Sequence, residues 1–91
     1  MEVAFYATLE RLVGQRRVEL PLAPGATVRD LTEALAATWP ELAEHLFEAQ
    51  GELSRRVNIF VAGRNVRWLK GLETRVEEGD SVAIFPPVAG G

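Results

Sequence analysis

The sequence predicts an α+β domain in which one main helix covers one face of a mixed sheet of four to five strands. Three observations carry this expectation. Apolar residues alternate with period two in the segments EVAFYATL, RRVELPL, VNIFVA and SVAIF. One intervening segment repeats its apolar residues at helical spacing instead. Gly- and Pro-containing turns separate the two kinds of segment. A chain of 91 residues suits a single domain with one modest core and little room for an internal substrate cavity.

The first strand is expected over EVAFYATL, with Val3, Phe5, Ala7 and Leu9 on one face and Ala4, Tyr6 and Thr8 on the other. Gly14-Gln15 reads as a turn, and Val18, Leu20 and Leu22 alternate beyond it, so the two segments are expected to form a hairpin. Thr27 is placed to cap a helix, with Asp30 three residues on as in a capping box. Val28, Leu31, Ala34 and Leu35 form its apolar stripe, and Trp39-Pro40 ends it, because the residue before proline is pushed out of the α region. ELAEHLFEAQG is expected to add a short helical turn around Leu42, Leu46 and Phe47.

VNIFVA is strongly β, with Val57, Ile59 and Val61 opposed to Asn58, Phe60 and Ala62. Gly63-Arg64-Asn65 is read as a turn and NVRWL as a short edge strand. After a loop closing on Glu78-Gly79-Asp80, SVAIF sends Val82 and Ile84 inward and Ala83 and Phe85 outward. Pro86 has no N–H for a ladder, so the sheet ends there. Residues 1–85 are therefore expected to fold, and residues 86–91, PPVAGG, to form an extended C-terminal tail.

Composition excludes several functions. No cysteine is present, so disulfides, thiolate metal sites and cysteine nucleophiles are absent. His45 is the only histidine and sits between Glu44 and Glu48, where it reads as a surface or capping residue; no metal site is expected. Ser54 and Ser81 lack a nucleophile elbow, and no phosphate-binding glycine loop occurs. Glu77, Glu78 and Asp80 read as a solvated turn rather than a cation site. Net charge is −3, and the pairs Arg16-Arg17 and Arg55-Arg56 are too short to track phosphates, so nucleic acid is not an expected partner. No apolar run approaches the roughly 18 residues that cross a bilayer, and no secretory signal opens the chain, which leads to an expectation of a cytoplasmic protein without membrane contact.

The tail is the one segment with evident chemistry. Pro86-Pro87 favours an extended, pre-ordered segment that projects at low entropic cost. Gly90 and Gly91 carry no side chains and so pass through a channel that admits only backbone. The α-carboxylate is ionised at neutral pH and unreactive until a partner activates it, most directly as an acyl-adenylate made with ATP. A domain that supplies recognition and a tail that supplies the reacting atom together suit a carrier.

FPPVAGG, the preceding GDSVAIF, the internal VNIFVAGRNVRWL and the opening VAFYATLERLVG resemble the MoaD/ThiS family of ubiquitin-like sulfur carriers, over essentially the whole chain. The segment is most similar to MoaD-like small subunits of molybdopterin synthase of the archaeal and bacterial type. The resemblance implies a β-grasp (ubiquitin-like) fold for residues 1–85. It implies that an E1-like adenylating enzyme of the MoeB/ThiF kind adenylates Gly91 and that a sulfur donor protein converts it to a thiocarboxylate. The sulfur then passes to cyclic pyranopterin monophosphate in a MoaE-like large subunit, for molybdenum cofactor biosynthesis. Pro86, Pro87, Val88, Ala89 and Gly90 would be the arm inserted into the partner. On this reading the chain binds no cofactor and is not catalytic alone; ATP is used by the activating partner. Alternative destinations are thiamin thiazole, a thiolated tRNA base or cysteine, and another alternative is a ubiquitin-like protein modifier for which Lys70 is the only internal acceptor lysine.

Strand alternation also puts Tyr6, Phe60 and Phe85 opposite Val3, Ile59 and Ile84. If their strands are neighbours, they form an exposed aromatic patch beside the exit of the tail, suited to binding a protein.

Overall fold

A computed structural model describes residues 1–87. Five strands form one mixed sheet: β1 (Glu2–Phe5), β2 (Arg17–Glu19), β3 (Asn58–Val61), β4 (Arg64–Asn65) and β5 (Val82–Phe85), in the order β2-β1-β5-β3-β4. β1 and β5 run parallel at the centre, with Val3 opposite Val82 and Phe5 opposite Ile84. The other pairs are antiparallel, and Asn58 faces Phe85 across β3 and β5. This register puts the ends of β1 and β5 side by side where the chain leaves the sheet.

The first segment departs from the expected long strand. β1 stops at Phe5, and a helix, α1 (Ala7–Val13), occupies the rest. Tyr6 is extended and Ala7 turns at a positive φ of 53°, after which Leu9 and Val13 are buried four residues apart. Ala7, expected inward, is exposed. Leu9 fits both a two-residue and a 3.6-residue period, and the helical partner Val13 decides the outcome. Gly14 is thus a left-handed helix cap at φ 90°, its N–H donating to the Glu10 carbonyl at 2.8 Å, rather than a hairpin turn. β1 and β2 still pair antiparallel, with a helix between them.

The main helix, α2 (Val28–Thr38), begins as expected. Thr27 Oγ1 accepts the Asp30 N–H at 3.2 Å, and the Asp30 carboxylate accepts the Thr27 N–H at 3.0 Å. Val28, Leu31 and Leu35 are buried, and Trp39 ends the helix. Near its start the Arg29 guanidinium meets Glu73 at 2.7 Å, and hydrogen bonding to that carboxylate raises its pKa above the usual arginine value. The segment after Pro40 is helical, as a 3₁₀ turn (Pro40–Leu42) and the one-turn α3 (Ala43–Leu46), which bury Leu42 and Leu46.

The α2 stripe joins Val3, Phe5, Ile59, Val82 and Ile84 in one core. Phe5 meets Trp39 edge-on at a centroid distance of 6.5 Å. Burying each of the large aliphatic side chains contributes roughly 1.5–3 kcal/mol, so this single layer between helix and sheet holds the domain together.

The edge beyond β3 also differs from expectation. The chain reverses at Ala62-Gly63, both at positive φ (54° and 80°), and Arg64-Asn65 already forms β4. NVRWL then leaves the sheet after Asn65 and winds into a 3₁₀ turn (Val66–Trp68). The Asn65 side chain accepts the Arg67 N–H at 3.0 Å, which starts that turn and ends strand pairing.

Candidate functional site: an aromatic face beside the tail

The sheet has two chemically distinct faces. One is the core; the other presents Ala4, Tyr6, Asn58, Phe60, Ala83 and Phe85, all half-buried. The β1-β5-β3 order brings the three aromatic residues together, as the alternation predicts. Tyr6 and Phe85 stack with centroids 4.4 Å apart and planes 8° from parallel. Phe60 meets Phe85 edge-on at 5.5 Å and 88°. Phe85 is central because β5 lies between the other two strands. Such pairs are worth about 0.5–1.5 kcal/mol each beyond their area, so the cluster is a fixed surface rather than three loose rings.

A further contact orders Tyr6. The Arg16 guanidinium lies 4.8 Å from the ring centroid, and its Nε donates to Glu10 Oε1 at 2.8 Å. Arg16 is held from α1 while it packs on the aromatic cluster, a role that follows from the unexpected helix.

Pro86 and Pro87 continue directly from Phe85. They line, with Phe60, Phe85, Ala83 and Ala7, a mainly apolar groove of about 980 Å³. On another side they border a smaller cleft that includes Thr8, His45, Ser54 and Arg56. His45 is exposed, as expected of a surface residue. The positions assigned to the rest of the arm and to the reacting end, Val88, Ala89, Gly90 and Gly91, lie outside the described residues.

Sequence reasoning missed the support beneath β3. Arg67 Nη2 donates to the Ser54 carbonyl at 2.6 Å and to the Val57 carbonyl at 2.7 Å, tying the segment before β3 to the 3₁₀ turn after β4. No sequence signal distinguishes this arginine from the eight others. Also unforeseen is Trp68, which is 84% exposed, beside Leu69 at 38%.

No cluster of three His, Asp or Glu side chains able to hold a metal occurs among the described residues. The Glu77–Asp80 segment is a turn, in which Asp80 Oδ2 accepts the Glu77 N–H at 2.9 Å. No helix among the described residues is long and apolar enough to cross a membrane. What the described residues offer here is a packed apolar face at the point where the chain leaves the sheet.

The small archaeal modifier protein 3 of Haloferax volcanii is 41% identical over 91 residues, covering 100% of this chain and 98% of that protein. The molybdopterin synthase sulfur carrier subunit of Drosophila melanogaster is 39% identical over 75 residues, 80% of this chain and 79% of that protein. The crystal structure of the Amycolatopsis orientalis BexX/CysO complex contains a chain that matches with a TM-score of 0.81 and 32% identity, covering 99% of this chain and 98% of that one. The fold is accordingly the β-grasp, ubiquitin-like fold. The model of the ThiS family matches residues 3–91. With the family model matching nearly the whole chain, this chain belongs to the ThiS family, the MoaD/ThiS group of ubiquitin-like sulfur carriers.

Proposed function

We propose that this chain carries sulfur as a thiocarboxylate on Gly91 and delivers it as the small subunit of molybdopterin synthase. The observation that carries the reading is the Tyr6–Phe85–Phe60 cluster, which ends at Pro86-Pro87. A partner seated on this face receives the arm from Pro86 to Gly90 without searching for it, because the strand that fixes Phe85 also fixes the root of the tail.

The chemistry proceeds in balanced steps. A Gly91 carboxylate oxygen attacks the α-phosphorus of ATP in an E1-like adenylating enzyme, and pyrophosphate leaves. Hydrosulfide supplied by a donor protein attacks the acyl carbon; the C–S bond forms, the C–O bond to AMP breaks, AMP carries away the oxygen, and the S–H proton passes to solvent. The thiocarboxylate sulfur then forms a C–S bond to a carbon of cyclic pyranopterin monophosphate held by a large subunit as a C–O bond of that carbon breaks. Hydrolysis of the resulting thioester leaves the sulfur on the pterin and returns Gly91 to a carboxylate. This chain contributes docking and delivery, and the partners contribute ATP binding and the groups that act on the pterin. The ending GDSVAIFPPVAGG and the similarity to a molybdopterin synthase sulfur carrier subunit support that destination.

A second reading keeps the activated Gly91 and changes the acceptor to a protein amine or to the route served by CysO. The match to a small archaeal modifier protein over the full chain and the likeness to a BexX/CysO complex favour it. One experiment separates the readings. The chain is incubated with an E1-like adenylating enzyme, ATP and a sulfur donor, and its intact mass is followed. A gain equal to sulfur replacing oxygen supports the carrier; the thiocarboxylate is then offered a large subunit with pterin substrate. Molybdopterin formation supports the first reading, ladders of heavier conjugates support modification, and an unchanged mass overturns both.

A further inference from the structure

We infer that the E1-like adenylating enzyme that accepts the tail grips this chain at a second point, Trp68, through an apolar pocket of aromatic size with a carboxylate at its rim. The inference rests on the carrier reading above and names the partner's surface.

Trp68 and Leu69 are the large apolar side chains that remain exposed among the described residues. Single exposed apolar residues are ordinary, but this one stands on an unusually fixed base. Val66, two residues before it, is fully buried. Arg67 is pinned by its two bonds to the Ser54 and Val57 carbonyls, and its N–H is held by the Asn65 side chain. The Leu69 N–H closes the turn on the Val66 carbonyl at 3.0 Å. The backbone around Trp68 is therefore set before any partner arrives, which lowers the entropic cost of using an indole as an anchor.

The occupant follows from position and reach. A shallow groove between Trp68, Leu69 and Arg64 shares Phe60 and Gly63 with the groove that Pro86 and Pro87 line. The groove at the root of the tail is thus contiguous, through Phe60 and Gly63, with the one that Trp68 borders. Gly91 lies four residues past Pro87, and four extended residues reach at most ~14 Å. A protein that reacts with Gly91 inside its own site must consequently sit against the domain beside Pro86-Pro87, on the surface that leads to Trp68. Arg64 is exposed at this end and forms no salt bridge among the described residues, which calls for a carboxylate on the facing protein.

The test measures ATP–pyrophosphate exchange by an E1-like adenylating enzyme as the concentration of full-length chain varies. Trp68→Ala is expected to raise KM for the chain about tenfold with kcat unchanged, while Trp68→Phe stays within about threefold. Arg64→Glu is expected to raise KM most at low ionic strength. In a Trp39→Phe background, indole emission should shift to the blue on complex formation, because Trp68 becomes covered. A KM for Trp68→Ala within about twofold of wild type, or unshifted emission in a formed complex, overturns the inference and leaves the carrier reading standing. So does a loss of self-association with unchanged KM, which would assign Trp68 to contact with a second copy. A wild-type chain that supports no exchange removes the carrier reading and this inference together.

Discussion

Tyr6, just past the end of β1, lies flat against Phe85, the last residue of β5, with ring centroids 4.4 Å apart. The parallel β1-β5 pairing makes this contact, since it sets Phe5 opposite Ile84 and carries the next residue of each strand to the same end of the sheet. Phe60 closes the cluster from the antiparallel side. The aromatic face is thus built by long-range pairing, whereas the tail beside it is local sequence.

Phe85→Glu should weaken docking more than it weakens the fold. The substitution removes two aromatic contacts and places a charge on the apolar face, while Ile84 and Val82 keep the core side of β5 intact. The KM of the chain in adenylation is expected to rise about tenfold or more, corresponding to at least ~1.4 kcal/mol. Circular dichroism and melting should show a cost of about 1–2 kcal/mol. Equal affinity of Phe85→Glu and wild type for an E1-like enzyme or a large subunit would remove the aromatic face from the mechanism.

Much of this architecture is legible in the sequence where one signal acts alone. Thr27 and Asp30 specify a cap by local hydrogen bonds, and Val57, Ile59 and Val61 alternate without a competing period. The outward set Tyr6, Phe60 and Phe85 follows from the same alternation, although their contact needs the sheet order. Where two signals overlap, the sequence leaves the element undecided. Leu9 suited a strand continued from Phe5, yet its i+4 partner Val13 finds the core only if the segment is helical. NVRWL has strand-forming residues, but the Asn65 side chain turns the backbone back on itself. Arg67 was invisible for another reason: its partners are carbonyls, which carry no side-chain signature.

Arg67→Ala should destabilise the domain by about 2–4 kcal/mol, because it removes two charge-assisted bonds and leaves the Ser54 and Val57 carbonyls to find new partners. Arg67→Lys should recover only part of this loss, since the lysine side chain is shorter and its ammonium stops short of the position from which Nη2 reaches both carbonyls. Urea unfolding of the two variants checks the order. If Arg67→Ala melts with wild type, these bonds are dispensable.

Ala62 offers a change in the opposite direction. It occupies the first position of the two-residue reversal between β3 and β4 at φ 54°, with Gly63 at φ 80°. Both residues at positive φ describe the type I′ turn that favours Asn-Gly. Alanine there pays the left-handed penalty that asparagine largely avoids. Ala62→Asn is expected to stabilise by about 0.5–1 kcal/mol, raising the melting temperature by a few degrees. An unchanged or lower melting temperature would show that the exposed turn adopts another geometry in solution.

Gly91 separates delivery from folding most sharply. The core is complete by Ile84, and no buried residue follows it among the described residues. Deleting Gly91 should therefore leave the melting temperature within about a degree of wild type, while thiocarboxylate formation disappears because the carboxylate ends one residue short of the site of adenylation. Adding an alanine after Gly91 displaces the carboxylate by about 3.5 Å and adds a methyl group to an end that otherwise presents only backbone. Adenylation of that variant is expected to fall by about a hundredfold or more, with docking through Tyr6, Phe60 and Phe85 retained, so it should compete with wild type for the enzyme. A shortened or extended chain that still gains sulfur would place the reacting group elsewhere and end the carrier reading. A variant that neither reacts nor competes would mean that the tail, rather than the aromatic face, supplies the affinity.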